Sequence, residues 1–292
     1  MTRLTVRHST EYRYCQPVYL APHRLMLRPR DSHALRLVDT ELTISPPAVL
    51  EWSHDVFGNS VAVATFNTSA TMLRIDSILK VERFGGDVPA YQVDPRAVSY
   101  PFSYSEADRI DLGALLALQY NDPQGRLLSW ARHFIRGLRP RSLDLLIDLN
   151  NGIRSWFSYQ TRDEEGTQSP LQTLDRGWGC CRDFAVLLAE AARSLGFGAR
   201  IVTGYLDTLV EQGWIVNGAG ATHAWVDIYL PGAGWVAFDP TNGTVGGAGL
   251  IPVAVARDIG QIIPISGSYV GTGGDYLGMT VDVTVLPDWF QT

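Results

Sequence analysis

The stretch GWGCCRDFAVLLAEAARSLGFGAR, from Gly177 to Arg200, decides the fold because it places two adjacent cysteines at the start of an apolar helix. Its larger apolar residues share one stripe of that helix and predict a buried face: Phe184, Leu187, Leu188, Ala191 and Leu195. A cysteine in the first helical turn lies among unpaired backbone N–H groups, at the positive end of the dipole. Both features favour thiolate over thiol, so the helix start is a candidate nucleophile site.

The downstream stretch THAWVDIYLPGAGWVAFDPTNG offers a base and a group to orient it. His223 begins one predicted strand and Asp239 ends the next. A three-residue turn between the strands pairs Leu230 with Gly234, which puts Asp239 on the same face of the sheet as His223. A turn of two or four residues would put them on opposite faces. The hypothesis of a catalytic triad therefore requires an odd-numbered turn or a β-bulge.

The composition describes an acidic, folded chain. Of 292 residues, 46% are hydrophobic and 18% are charged, and the formal net charge is −6. Such a chain can bury a sizeable core, while its acidity argues against nucleic acid or an anionic membrane as a partner. No run approaches the roughly 18 apolar residues of a membrane span, and the first residues have no apolar signal segment.

The cysteines predict a reduced protein without a cofactor. Cys15, Cys180 and Cys181 form no disulfide framework, and adjacent cysteines rarely pair with each other. Together with the absent signal segment, this predicts a cytoplasmic location. The glycine-rich loop at 242–250 lacks the Lys-Ser/Thr ending of a phosphate loop, and no calcium loop is present. We expect no cofactor and no metal, and the oligomeric state stays open.

Four segments are predicted along the chain. Partly alternating runs such as LTVRHSTEYRY and TMLRIDSILKVERF, separated by turn signals, predict an antiparallel β-sandwich over residues 1–95. A proline-bearing linker follows over 96–120. Helices and then strands predict an α+β core over 121–252, in which the helix that carries the cysteine packs on an antiparallel sheet. Residues 253–292 are expected to add strands that complete one of the sheets.

Three blocks of sequence resemble the bacterial transglutaminase-like family of the papain-like cysteine-enzyme superfamily, many of whose members are regarded as cysteine proteases. The blocks are WFSY, GCCRDFAVLLAEAARSLGFGARIVTGYL and THAWVDIYLPGAGWVAFDPTNG, between Trp156 and Gly243. Near the N-terminus, VRHSTEYRY, LRPR and FGN are similar to the β-rich domain that precedes this core in many bacterial members. The resemblance covers most of the chain and implies a papain/transglutaminase-like core.

The resemblance also distinguishes the two neighbouring cysteines. At 100° per residue, Cys180 and Cys181 lie about 40° and 60° on either side of the stripe through Phe184, so helix geometry leaves both open. The family pattern is Cys, any residue, Asp, Phe, Ala, and only Cys181 fits it. The resemblance thus implies that Cys181 is the nucleophile and that Cys180 is a packing residue.

The implied chemistry is acyl transfer on an amide of a peptide or protein. His223 takes the proton of Cys181, Asp239 orients the imidazole, and the thiolate forms a thioester that water or an amine resolves. The Cys181 backbone N–H and a second donor would hold the oxyanion. The candidates for oxyanion and substrate contacts are Trp156, Trp178 and Gly179.

Two other classes of function remain open. A metal-dependent hydrolase would use Cys180, Cys181, His223 and Asp239, although adjacent cysteines lack the Cys-x-x-Cys spacing that lets two thiolates bind one zinc. A non-catalytic peptide-binding module would keep the same residues as an idle triad, since a buried cysteine is often only a small apolar residue. Metal analysis tests the first class, and thiol reactivity tests the second.

Overall fold

The computed structural model describes residues 1–84, 91–162, 166–207, 218 and 220–287. The chain begins with strands only: β1 (Thr2–Leu20), β2 (His23–Leu25), β3 (Leu35–Ser45), β4 (Ala48–His54), β5 (Ser60–Phe66) and β6 (Ser69–Arg83). All pairs among them are antiparallel; β6 lies between β1 and β3, and β5 lies between β2 and β4.

These strands form a two-layer sandwich because alternate side chains are apolar. Along β6 the buried positions recur at every second residue, as a strand with one buried face requires. Leu73 and Ile75 of β6 share a core cluster with Leu25 of β2 and with Ala62 and Ala64 of β5. The predicted N-terminal antiparallel sandwich is therefore present.

The middle of the chain is mainly helical. Its elements are α1 (Glu106–Leu112), α2 (Arg126–Arg132), α3 (Ser142–Trp156), β7 (Ser158–Tyr159), α4 (Pro170–Arg176), β8 (Trp178–Gly179) and α5 (Cys181–Ser194). The segment predicted as a linker contains α1 and is attached to the core. Tyr100 donates a hydrogen bond to the Leu195 carbonyl, and Tyr104 donates one to the Tyr229 carbonyl.

A five-stranded antiparallel sheet follows the helices. Its strands are β9 (Ala199–Leu206), β10 (His223–Leu230), β11 (Gly234–Asp239), β12 (Thr244–Val245) and β13 (Leu250–Ala256), in the spatial order β12-β11-β10-β9-β13. Helix α5 packs across β9 and β10. Twelve of the fourteen α5 residues are buried, so this helix forms the centre of the core. The fold is α+β, as predicted.

The last strands return to the N-terminal sandwich. They are β14 (Ile265–Ser266), β15 (Tyr269–Val270) and β16 (Tyr276–Pro287). Strand β14 pairs with β2, while β15 and β16 pair with β1. The segment predicted over 253–292 thus adds strands to both sheets of the sandwich, and β13 of the core sheet spans its predicted start. The sandwich is built from both ends of the described chain.

Specific polar contacts fix the sandwich to the core. The Asn59 side chain donates to the Val255 carbonyl at 2.7 Å and accepts from the Val255 N–H at 2.9 Å. Arg83 forms an ion pair with Asp207 at 2.8 Å, and the Asp207 side chain is only 2% exposed. A side chain that satisfies a buried backbone group is costly to remove. These contacts hold the two parts in one relative position.

Acidification is expected to destabilise this interface through His8. His8 of β1 contacts the Tyr205 hydroxyl at 3.0 Å, and burial lowers its pKa to about 4, against a smaller opposing effect of Asp76. The pKa of His8 in the folded protein lies below its ordinary value of 6.5. The contribution of neutral His8 to the free energy of unfolding is therefore complete above pH 6.5 and is lost as the pH falls towards 4. The loss is about 3 kcal/mol.

Urea unfolding of His8→Gln between pH 4 and 7 measures this loss. We expect the variant to have a flatter dependence of unfolding free energy on pH than the wild type, because glutamine does not titrate. The exposed His33 supplies the matched control, His33→Gln, which should keep the wild-type dependence. An unchanged slope in His8→Gln would show that other groups cause the acid sensitivity.

Candidate active site

The β10–β11 hairpin has the register that the triad hypothesis required. Leu230 pairs with Gly234, and Val226 pairs with Phe238. Asp239, the next residue of β11, therefore lies on the same face of the sheet as His223. The prediction of an odd-numbered turn is confirmed, and its consequence is a direct contact between these two side chains.

His223 and Asp239 form a buried pair. Nε2 of His223 lies 2.8 Å from Oδ2 of Asp239, and both side chains are 0% exposed. A carboxylate only accepts, so Nε2 carries the proton of this hydrogen bond. Oδ1 of Asp239 accepts from the backbone N–H of Thr241 at 2.9 Å, and the Asn242 side chain donates to Oδ2 at 2.9 Å. The carboxylate is thereby locked in orientation.

These contacts keep Asp239 ionised. Burial opposes the charge, but the charge of His223 and the hydrogen bonds from His223, Asn242 and Thr241 outweigh it, so the pKa of Asp239 is lower than usual. A fixed negative charge at this position stabilises a positively charged imidazole. The pair is suited to accept a proton from a neighbouring group.

The second nitrogen of His223 is free to do this. Nδ1 is buried and has no hydrogen-bond partner among the described residues. With Nε2 protonated, neutral imidazole presents Nδ1 as an acceptor. A Cβ at Gly218 would lie 2.9 Å from Nδ1, so the backbone there approaches the ring closely. An orphaned buried acceptor of this kind is what a general base requires.

The start of α5 is fixed by a buried carboxylate. Asp183 is fully buried and accepts from the backbone N–H of Cys180 at 3.0 Å, from the Gln168 N–H at 2.7 Å and from Arg162 at 3.0 Å. A Cβ at Gly179 would lie 2.9 Å from the Asp183 Cβ, so only glycine fits there. These contacts fix the first residue of the helix, Cys181.

Cys181 lies on the helix that packs against the strand of His223. It is the first residue of α5, it is 8% exposed, and α5 packs on β10, which begins at His223. The charge of Asp239 acts on the Cys181 thiol, and Arg182 lines the same cavity as His223. The structure therefore brings the three predicted residues into one region.

The hydrogen bond between the two neighbouring thiols shifts their pKa values in opposite directions. The hydrogen bond between them lowers the pKa of Cys180 to about 6, although burial and the carboxylate of Asp183 oppose that shift. The same hydrogen bond raises the pKa of Cys181, and burial raises it further. In the resting protein Cys181 therefore keeps its proton, and it needs a base to become a thiolate. Cys180 is an electrostatic partner of Cys181 in addition to a packing residue.

Replacing Cys180 by alanine is expected to lower the pKa of Cys181, because the acceptor of its hydrogen bond and the neighbouring negative charge both disappear. The rate of iodoacetamide labelling at Cys181, followed by peptide mass spectrometry from pH 5 to 10, should shift towards acid. Cys15→Ala is the matched control, since Cys15 is exposed and lies on β1. A shift towards alkali, or none, would contradict the coupling.

The proposed tryptophan donors have other contacts. Trp156 is 55% exposed and its ring faces those of Trp130, His133 and Phe134. The Trp178 ring lies 5.6 Å below the Arg176 guanidinium carbon. Gly179 lies so close to Asp183 at the start of α5 that a side chain there would clash. The structure thus shows local packing contacts for all three candidates for oxyanion and substrate contacts.

Sequence reasoning missed Tyr159. It lies on β7, pairs in parallel with Gly179 of β8, and is half-buried. Its pKa is raised first by burial and then by the charges of Cys181, Cys180 and Asp239, so its hydroxyl lies within electrostatic range of these groups. The WFSY block contained this tyrosine, but only the parallel β7–β8 pair places its strand beside β8, which leads into α5.

A cavity of about 750 Å³ opens beside His223. From the core it is lined by Arg182, Thr203, His223 and Asp258, and its opposite side belongs to the sandwich. Within the described ranges, no three histidine, cysteine, aspartate or glutamate side chains converge as metal donors. Every helix in the part of the chain that the structure describes is too short or too polar to span a bilayer.

Sequence families match both parts of this architecture. Residues 129–240 match the transglutaminase-like superfamily, and residues 4–82 match the bacterial transglutaminase-like N-terminal region. A candidate cysteine protease from Cytophaga hutchinsonii has the same fold, with a TM-score of 0.72, 20% identity, and coverage of 98% of this chain and 91% of that chain. The fold and site define a papain-like α+β protein. The chain belongs to the bacterial transglutaminase-like family.

Relatives in sequence extend over different lengths. An uncharacterized protein of Mycobacterium tuberculosis is 29% identical over 290 residues, which cover 96% of this chain and 92% of the relative. A protein-glutamine gamma-glutamyltransferase of Pseudomonas aeruginosa is 37% identical over 76 residues, or 23% of this chain and 10% of that protein. The first similarity spans both parts of the fold, and the second is local.

Proposed function

We propose that this protein is a cysteine enzyme that acts on amide bonds of peptides or proteins through Cys181, His223 and Asp239, by hydrolysis or amide transfer. One observation carries the proposal. The buried His223–Asp239 hydrogen bond of 2.8 Å leaves Nδ1 of His223 unpartnered among the described residues, beside the helix that begins with Cys181. The local similarity to a protein-glutamine gamma-glutamyltransferase supports the same chemistry.

In the first step Nδ1 of His223 accepts the Cys181 proton. The new thiolate sulfur bonds to the amide carbon, and the carbonyl oxygen becomes an oxyanion. His223 then returns the proton to the amide nitrogen, the carbon–nitrogen bond breaks, and a thioester and a free amine or ammonia result. Water or an amine attacks the thioester in the second step, so the Cys181 thiol is restored and the acyl group leaves.

Tyr159 is proposed as the second donor to the oxyanion, together with the Cys181 backbone N–H. That N–H is one of the first in α5 and has no acceptor inside the helix. The raised pKa of Tyr159 keeps its hydroxyl protonated at neutral pH, and the hydroxyl is therefore a donor. Hydrogen-bond donors aimed at a developing oxyanion stabilise the transition state more than the bound substrate.

Tyr159→Phe is expected to lower kcat about 100-fold with little change in KM, since a transition-state hydrogen bond is lost while the ring remains. Steady-state kinetics with an amide substrate measure this effect. Tyr104→Phe is a control because it removes another buried hydroxyl, one that bonds to the Tyr229 carbonyl in the core. An unchanged kcat in Tyr159→Phe would remove Tyr159 from the proposed mechanism.

Trapping of the thioester tests the proposed function. The protein is mixed with a casein digest, quenched in acid within milliseconds to seconds, and digested for peptide mass spectrometry. We expect an acyl adduct on Cys181 that hydroxylamine removes and that His223→Ala lacks. An adduct on Cys180 would reassign the nucleophile. No adduct on either cysteine, in protein that remains folded, would favour the non-catalytic peptide-binding module.

A further inference from the structure

The cavity beside His223 has one wall from the core and another from the sandwich. The sandwich wall includes Tyr12, Tyr14, Tyr269, Tyr276 and Met279. Four of these five residues are tyrosines, and they come from β1, β15 and β16, which are joined by strand pairing. We call this set the tyrosine wall.

Resting on the proposed function, we propose that the tyrosine wall selects the substrate by binding an aromatic side chain that flanks the reacting amide in an extended peptide segment. The sandwich then supplies specificity, while the core supplies the nucleophile and base. The substrate class is a flexible or unfolded segment that carries phenylalanine, tyrosine or tryptophan near the amide.

The geometry of the rings supports an aromatic ligand. The Tyr14 ring lies 4.9 Å from the Tyr269 ring and 6.2 Å from the Tyr276 ring, with interplanar angles of 56° and 52°. Tilted rings at these distances present both faces and edges, which are the surfaces that another aromatic ring contacts favourably. Tyr14 is buried within this group and fixes its position.

Part of the wall is exposed although it is apolar. Tyr276 is 41% exposed and Met279 is 45% exposed, and both line the cavity. Methionine adapts its shape to different ligands, and exposed apolar groups in a cavity are typical of binding surfaces. A register shift in the β1–β16 pair falls between Arg13 and Tyr14 and places Tyr14 opposite Tyr276. Such irregularities redirect side chains beside functional sites.

The charges of the described residues that line the cavity are balanced. Of the lining residues, Arg182 and Asp258 are the one basic residue and the one acidic residue, apart from histidines. Asp258 already accepts from the Gly260 N–H at 2.9 Å as the cap of a short helix. Among the described lining residues the charges thus balance, whereas the tyrosine wall offers a large aromatic contact surface.

The size and rigidity of the cavity favour a short segment. A volume of about 750 Å³ lies in the range of sites for small ligands and peptide pieces, and it is too small for a folded domain. The Asn59–Val255 and Arg83–Asp207 contacts hold the sandwich against the core. The wall is therefore positioned before the substrate arrives, which lowers the entropy cost of binding.

Peptidyl chloromethyl ketones test this inference, because the Cys181 sulfur displaces chloride from them without needing a true substrate. One set carries a single phenylalanine at the first, second or third residue from the reactive group; the matched reagent carries serine at all three. The second-order rate of alkylation at Cys181 is measured for the full chain, with the exposed Cys15 as the internal reference.

We expect at least one phenylalanine reagent to react about tenfold faster than the serine reagent, from the contact area of one aromatic ring. Tyr276→Ser and Met279→Ser should each reduce this ratio at least threefold, because each removes part of the surface that the aromatic ring contacts. Both positions are partly exposed, so these substitutions should leave the fold intact. Tyr19→Ser is the control, since Tyr19 lies on β1, is 66% exposed and does not line the cavity.

The two possible failures are distinguishable. If Cys181 reacts faster than Cys15 but the ratio is near one, or the ratio persists in both wall variants, the inference is overturned and the proposed nucleophile stands. If Cys181 reacts no faster than Cys15 with every reagent, the proposed function fails and the inference fails with it.

Discussion

Cys181→Ala is expected to lower amide turnover at least 10⁴-fold, to below detection, because the sulfur that forms the thioester is absent. His223→Ala should have an effect of similar size, since Cys181 has a raised pKa and the proposed mechanism needs Nδ1 to take its proton. The double variant should be no slower than either single one, as expected for residues that act as a unit. Release of ammonia or of new primary amines from a casein digest measures turnover.

Cys180→Ala provides the matched control for this experiment. It removes the neighbouring sulfur from the same helix start and should retain turnover, because the Cys180 sulfur lies 3.2 Å from the Asp183 carboxylate and has no hydrogen bond to the His223–Asp239 pair among the described residues. Thermal melting of all variants establishes that they remain folded. Turnover that survives in Cys181→Ala and disappears in Cys180→Ala would reverse the assignment of the nucleophile.

Asp239→Asn is expected to lower kcat about 10²- to 10⁴-fold. Oδ1 of Asp239 accepts backbone N–H groups, so an asparagine would keep its oxygen there and place its NH₂ where Oδ2 now lies. That NH₂ would face Nε2 of His223, which would have to accept. The imidazole proton would move to Nδ1, and Nδ1 could no longer take a proton from Cys181.

Measuring the stability of each variant as a function of pH, together with kcat, separates this loss of kcat from unfolding. In the wild type the lowered pKa of Asp239 means that its contribution to stability is complete above the ordinary carboxylate pKa and is lost as the pH falls through the folded value. Asp239→Asn lacks this acid transition. Asn242→Ala removes one donor to Oδ2 and leaves the charge, so its kcat should fall far less. Equal losses in both variants would contradict the tautomer argument.

Much of the site could be predicted from the sequence because the required information is local. The alternation of side chains along strands showed that the triad requires an odd-numbered turn or a bulge between β10 and β11, and the observed Leu230–Gly234 pair meets this requirement. The glycine before the cysteines and the apolar stripe of α5 likewise indicated a buried helix that begins at the thiols. Each of these inferences depends on neighbours within about twenty residues.

Other features were decided only by the tertiary structure. The position of Tyr159 depends on a parallel pair between two-residue strands, which has no periodicity to detect. The tyrosine wall depends on β16 pairing with β1 across more than 250 residues of sequence. The unequal pKa values of Cys180 and Cys181 depend on the burial and hydrogen bonding of each sulfur.

The sequence by itself determined which residues can do chemistry and which faces of the strands and helices are buried, since side-chain type and periodicity are local properties of the chain. Only the tertiary structure decided what surrounds those residues. Distant strand pairing and burial set the wall of the cavity, the free nitrogen of His223 and the protonation of Cys181, because they depend on contacts between segments with no fixed sequence separation.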